Sequence, residues 1–253
     1  MINTMRKILT VILFCFFLLP IMVNAENLDY TNRQYHYSFM IPSGWVEIPK
    51  STIDEAMQQA ADMTGGQFID YMAGFQIENV EDFQYPYILV QQHKINTPSY
   101  SQITQTFKSD KFSESVNEKI DEYSELMTKA SLQDPFIDKE RNIIFMNLEV
   151  DVANVGKVNG LLAMFLGKSG ITQLNFYSVK SEYSKNLSIF NQVIDSFSYE
   201  RGYEYNEEEA KKNDSSNIFE GVARKGIIGA IIGGLIALIF GLFSRSKDKE
   251  EKK

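Results

Sequence analysis

The stretch GIIGAIIGGLIALIFGLF, from Gly226 to Phe243, constrains this chain more than any other. Its 18 residues carry no polar side chain and reach about 27 Å as a helix, close to the thickness of a hydrocarbon core. A helix in a water-soluble core ordinarily shows a polar stripe, and this one has none. A single membrane-spanning helix over 226–243 is therefore the expectation. Small residues recur every four positions: Gly229, Gly233, Ala237 and Gly241 form one stripe, and Gly226, Ala230 and Gly234 a second beside it. Such spacing lets helix backbones approach closely where lipid removes the hydrophobic drive. The first stripe is thus expected to be a helix-packing face, turned to a second copy of the chain or to a partner's span.

The other end has the form of a secretory signal. Arg6 and Lys7 lead into the apolar run ILTVILFCFFLLPIMV, and Val23-Asn24-Ala25 supplies small side chains where a signal peptidase cuts. Residues 1–25 are read as a signal peptide, with an uncleaved anchor as the alternative. The one cysteine, Cys15, lies inside that run, so a mature chain from Glu26 has no thiol for disulfides, nucleophilic catalysis or thiolate metal sites. The tail at 244–253 carries Arg245, Lys247, Lys249, Lys252 and Lys253. Positive-inside bias then puts the tail in the cytosol and the preceding domain outside it, in a single-pass protein of the cell membrane.

Residues 26–200 are long enough for one domain with a sizeable core. They hold 13 Lys and Arg against 24 Asp and Glu, an acidic balance that repels phosphate backbones and argues against nucleic-acid partners. Residues 201–225 are charge-rich and poor in aliphatic residues, and read as a juxtamembrane linker in which Glu207 and Glu208 can pair with Lys211 and Lys212. Within the domain, QYHYSFMI alternates as a strand, Pro42-Ser43-Gly44 turns the chain, and WVEI continues as a second strand. Ser51 and Thr52 supply a capping-box-like start for a helix running to Gly65. Tyr85–Ile95 reads as a strand, and Ser99–Leu132 as one or two helices with apolar residues three and four apart. NIIFMNLEVDV, KVNGLLAMFLG and ITQLNFYSV follow as an antiparallel meander, and a last helix carries Tyr183, Leu187, Phe190, Val193, Ile194 and Phe197 onto the sheet. The fold class is α+β: an antiparallel sheet with helices packed on it.

The opening YHYSFMIPSGW, the three hairpin-linked strands and a closing helix ending IFNQVIDSFSY resemble the PsbP-like domains, named for an extrinsic subunit of photosystem II. The resemblance covers about Leu28 to Tyr199. It implies an α/β/α sandwich and a role in binding or scaffolding other proteins outside the cytoplasm, with no shared active site and no residue whose role carries over.

No motif identifies a reaction, and no cofactor, metal site or catalytic residue is expected. Gly167-Lys168-Ser169 lacks the earlier glycine of a phosphate loop, with Leu162 standing there, and it joins two strands where such a loop must open a helix. His36 and His93, the only histidines, lack ligand spacing and read as ordinary strand residues. Trp45 reads as a core aromatic. The aromatic segment from Gln67 to Tyr87 either fills the core or lines a groove. The expectation is a membrane-anchored extracytoplasmic binding or scaffolding protein whose partner is another envelope or membrane protein. The alternatives are a hydrolase or metal-dependent enzyme with a dispersed site, marked by a histidine converging with carboxylates or a serine in a pocket, and a structural oligomer assembled through the glycine-rich span.

Overall fold

The computed structural model describes residues 28–65, 68–80, 83–122, 127–152, 155–212 and 216–250, with side chains of the last helix described as far as Leu235. The signal peptide read at 1–25 lies outside the described residues, and the side chains of Ala237, Gly241 and the basic tail lie beyond the described ones.

Alternation of apolar residues builds the sheets. A three-stranded sheet orders β1 (Leu28–Asn32), β2 (Tyr37–Ile41) and β11 (Ser198–Tyr199). The main sheet runs β3 (Trp45–Glu47), β4 (Ala73–Ile77), β5 (Tyr87–His93), β10 (Gly170–Val179), β9 (Gly156–Gly167), β8 (Ile143–Val152) and β6 (Met127–Leu132), with β7 (Phe136–Asp138) also on β8. All its pairings are antiparallel, and the expected meander is present: Ile143 pairs with Phe165 and Gly167 with Gly170.

The two faces of this sheet bury separate cores. Leu161, Ala163, Phe165, Leu174 and Phe176 face α4 (Tyr183–Ser196) and β2, in a cluster that also takes in Trp45, Phe190, Val193 and Ile194. The residues between them, among them Leu162, Met164 and Tyr177, face α1 (Lys50–Thr64), α2 (Tyr100–Phe107), α3 (Asp110–Glu122) and α6 (Ser216–Glu250). The result is the expected α+β sandwich, with helices on both faces of an antiparallel sheet.

Several local expectations change. Met127–Leu132, placed in a helical segment, is an edge strand on β8; Ala130 and Leu132 pack on the core with the period of two that a strand requires. Helix α1 begins at Lys50, after Pro49 and without a side-chain cap, one residue ahead of Ser51. His36 precedes β2 in a turn, at φ 57°. The segment read as a linker is tied to the domain: Lys168 donates to the Tyr203 carbonyl at 2.9 Å and Tyr205 to the Pro98 carbonyl at 3.0 Å. A short helix α5 (Glu207–Ala210) follows, and Lys211 pairs with Glu208 at 2.6 Å and with Glu207 at 4.0 Å.

The largest difference concerns the apolar stretch. It belongs to α6, which starts at Ser216, and residues 226–235 are buried in the domain, Ile228 alone being half-buried. Phe219, Ile227, Ala230 and Leu235 have no exposed surface. Among the described residues no helix is long and apolar enough to cross a membrane. A helix enclosed on every side needs no polar stripe, so a central core helix and a span present the same pattern.

Candidate functional site

Along β5 and β10 the sheet under α6 carries polar side chains where a helix bed is ordinarily aliphatic, while β8 and β9 on the same face keep aliphatic ones such as Leu148 and Leu162. On the helix-facing side, antiparallel β5 and β10 set Tyr87 opposite Tyr177, Leu89 opposite Asn175, Gln91 opposite Gln173 and His93 opposite Ile171. Tyr71 and Tyr85, from the segments leading into β4 and β5, extend the row. The ring centroids of Tyr87 and Tyr177 lie 5.1 Å apart, as do those of Tyr85 and Tyr87.

These side chains reach the main chain of α6. Tyr177 donates to the Ala230 carbonyl at 2.8 Å, Tyr87 to Gly233 at 2.5 Å and the Gln173 amide to Gly226 at 3.0 Å. Tyr71 donates to the Gly229 carbonyl and Tyr85 to that of Gly234. Every acceptor belongs to a glycine or alanine, because a larger side chain would hold the sheet away from the carbonyl. A Cβ on Gly233 would lie 2.4 Å from the Tyr177 hydroxyl and 2.7 Å from that of Tyr71; one on Gly229 would lie 2.9 Å from Gln91 Oε1. Gly229 and Gly233 therefore turn toward a sheet of the same chain, where a second helix was expected. Both small-residue stripes enter the contact, since Gly226, Ala230 and Gly234 are acceptors too.

Burial raises the pKa of all four tyrosines, so each stays a protonated donor. Two polar atoms in the groove have no hydrogen-bond partner among the described residues: Gln91 Oε1, aimed at Gly229, and Asn175 Nδ2. His93 closes the end of the row nearest Gly226, with Nε2 3.4 Å from Gln173 Oε1. Burial, opposed by that contact and reinforced by the Lys225 charge, lowers its pKa to about 4.

A second concavity, about 190 Å³ in volume, is lined by His36, Gln92, Lys94, Ser169, Tyr199 and Tyr203, among others. His36 Nδ1 lies 2.7 Å from Glu200 Oε2, and its ring stacks on Tyr203 at 3.6 Å. His36 thus meets a carboxylate and lines the same pocket as Ser169, although strand spacing alone placed His36 as an ordinary strand residue. The signal that could have found the pair is the hairpin-length turn before β2, which brings His36 beside the chain leaving β11. Among the described residues no three metal-ligating side chains gather. Trp45, 5% exposed, lies in the core.

No protein-family model matches the chain, and no curated protein matches its sequence. Among solved structures it is similar to the cyanobacterial PsbP of Synechocystis sp. PCC 6803, at 14% identity over 71% of this chain and 96% of that one, with a TM-score of 0.48. It is similar also to a protein of Bacteroides thetaiotaomicron VPI-5482 (12% identity, 69% of this chain, 48% of that one, TM-score 0.37). The Ran-binding protein Mog1p of Saccharomyces cerevisiae is a third (9% identity, 70% of this chain, 96% of that one, TM-score 0.37). The first is a PsbP, the family that the opening strand, the meander and the closing helix resemble. What this chain does must come from its own residues.

Proposed function

We propose that the chain is an exported, non-catalytic binding protein whose groove over β5 and β10 recognises an apolar helix with a small-residue face, supplied by another membrane protein. The observation that carries this reading is the set of five side chains committed to the carbonyls of five small residues of one helix. Donors aimed at main chain read a bare helix surface, and the tyrosines supply flat apolar area beside each hydroxyl. Spans with glycine or alanine every four residues are the commonest source of such a face. Export follows from the N-terminal signal, and the basic tail favours a cytosolic C-terminus when α6 is in the membrane.

The test replaces Tyr85, half-buried at the rim of the groove, with the photo-crosslinker p-benzoylphenylalanine and illuminates intact cells. Adducts at a small-faced apolar helix of another membrane protein support the proposal. Adducts confined to the chain's own α6 overturn it, and adducts to α6 of a second copy replace it with a homo-oligomer.

The His36–Glu200 pair beside Ser169 favours a second reading, a hydrolase. No bond between His36 and Ser169 accompanies the pair, and 32% of the His36 side chain and 50% of that of Glu200 are exposed. A Ser169→Ala variant that abolishes ester hydrolysis by the pure protein would favour this reading over binding.

A further inference from the structure

We propose that α6 has two mutually exclusive seats, the tyrosine-floored groove of its own domain and a lipid bilayer, so that insertion of the helix opens the groove. This rests on the reading of the groove as a helix receptor and adds its regulation. A span over Gly226–Phe243 uses every residue of the docked segment 226–235, so the helix cannot occupy both seats. Both are suited to it: the stretch is long and apolar enough by its sequence for a hydrocarbon core, and its bare face fits the groove.

The floor makes departure affordable. A helix bed of leucine and isoleucine alone would expose a continuous apolar face on opening, whereas Tyr71, Tyr85, Tyr87, Tyr177 and Gln173 exchange their bonds to α6 for bonds to water. Gln91 Oε1 and Asn175 Nδ2, unpartnered and buried while α6 is seated, gain water as partners when it leaves. The apolar residues of α6, for their part, pass from one dry environment to another. The groove is then open to a second helix, such as the partner's, at the membrane where such helices are found.

The experiment uses the full mature chain with vesicles of equimolar phosphatidylcholine and phosphatidylglycerol. Inserted protein is read by flotation after alkaline washing, and groove opening by hydrogen exchange at the amides of β5 and β10. Gly233→Leu clashes with the hydroxyls of Tyr177 and Tyr71 in the groove yet suits the bilayer, so the inserted fraction should rise several-fold, with faster exchange in the groove strands. Tyr87→Phe, which keeps the ring and the helix sequence, should shift it the same way and guards against misfolding of the first variant. If neither variant inserts more than the wild type, or if insertion leaves groove exchange unchanged, the two-seat proposal is overturned. A synthetic peptide of residues 222–238 added to the same samples separates the two readings. If insertion opens the groove and the peptide still does not bind, the receptor reading fails while the switch stands.

Discussion

His93 is where the groove meets solution conditions. The residue is 8% exposed, its imidazole meets Gln173, and burial together with the Lys225 charge lowers its pKa from 6.5 to about 4. The folded chain holds it neutral, whereas the unfolded chain takes up a proton below pH 6.5. Its contribution to stability is therefore complete above pH 6.5, declines as the pH falls, and is lost by about pH 4. The loss amounts to about 3 kcal/mol at the acid end. Urea midpoints measured from pH 7 to pH 4 should fall accordingly, and His93→Gln should flatten that part of the profile. An unchanged slope in the variant would assign the acid sensitivity to other groups.

At the scale of elements, the sandwich is held from its two faces separately, and Trp45 tests the face opposite α6. It opens β3, pairs with Ile77 and belongs to the cluster of Phe75, Phe176 and Phe190. Trp45→Ala should lower stability by about 3–5 kcal/mol, measured by denaturant unfolding, and should leave vesicle insertion of α6 unchanged relative to the folded fraction. Much of this layer was legible in the sequence, because two-residue alternation and hairpin turns are local signals: β8, β9, β10 and α4 lie where they were expected. The groove was legible only in halves. The glycine stripes of α6 were evident as a packing face and the aromatic segment around Tyr71, Tyr85 and Tyr87 as a groove or core lining. That each answers the other depends on contacts between residues more than 140 positions apart, and no local period encodes those. His36 was misplaced for a local reason, since it falls in the turn before β2, at φ 57°, one residue short of the strand.

For the whole molecule the central expectation is orientation. In the inserted state proposed above, an N-terminal signal and the basic tail would place the sandwich outside and the C-terminus in the cytosol. Protease added to intact cells should degrade residues 26–200 and spare an epitope attached after Lys253. Degradation of the epitope with protection of the domain would reverse the topology. The position of α6 also has a bearing on how the molecule is made. The helix that fills the middle of one sheet face is synthesised after every strand it covers, so the sheet pairs with that face still open. For that interval the hydroxyl- and amide-lined strip along β5 and β10 stays wetted where a leucine-lined one would stick to its neighbours, and a chain cut short before Gly226 is left in that condition permanently. The polar floor that lets the helix depart would thus also protect the domain before the helix arrives.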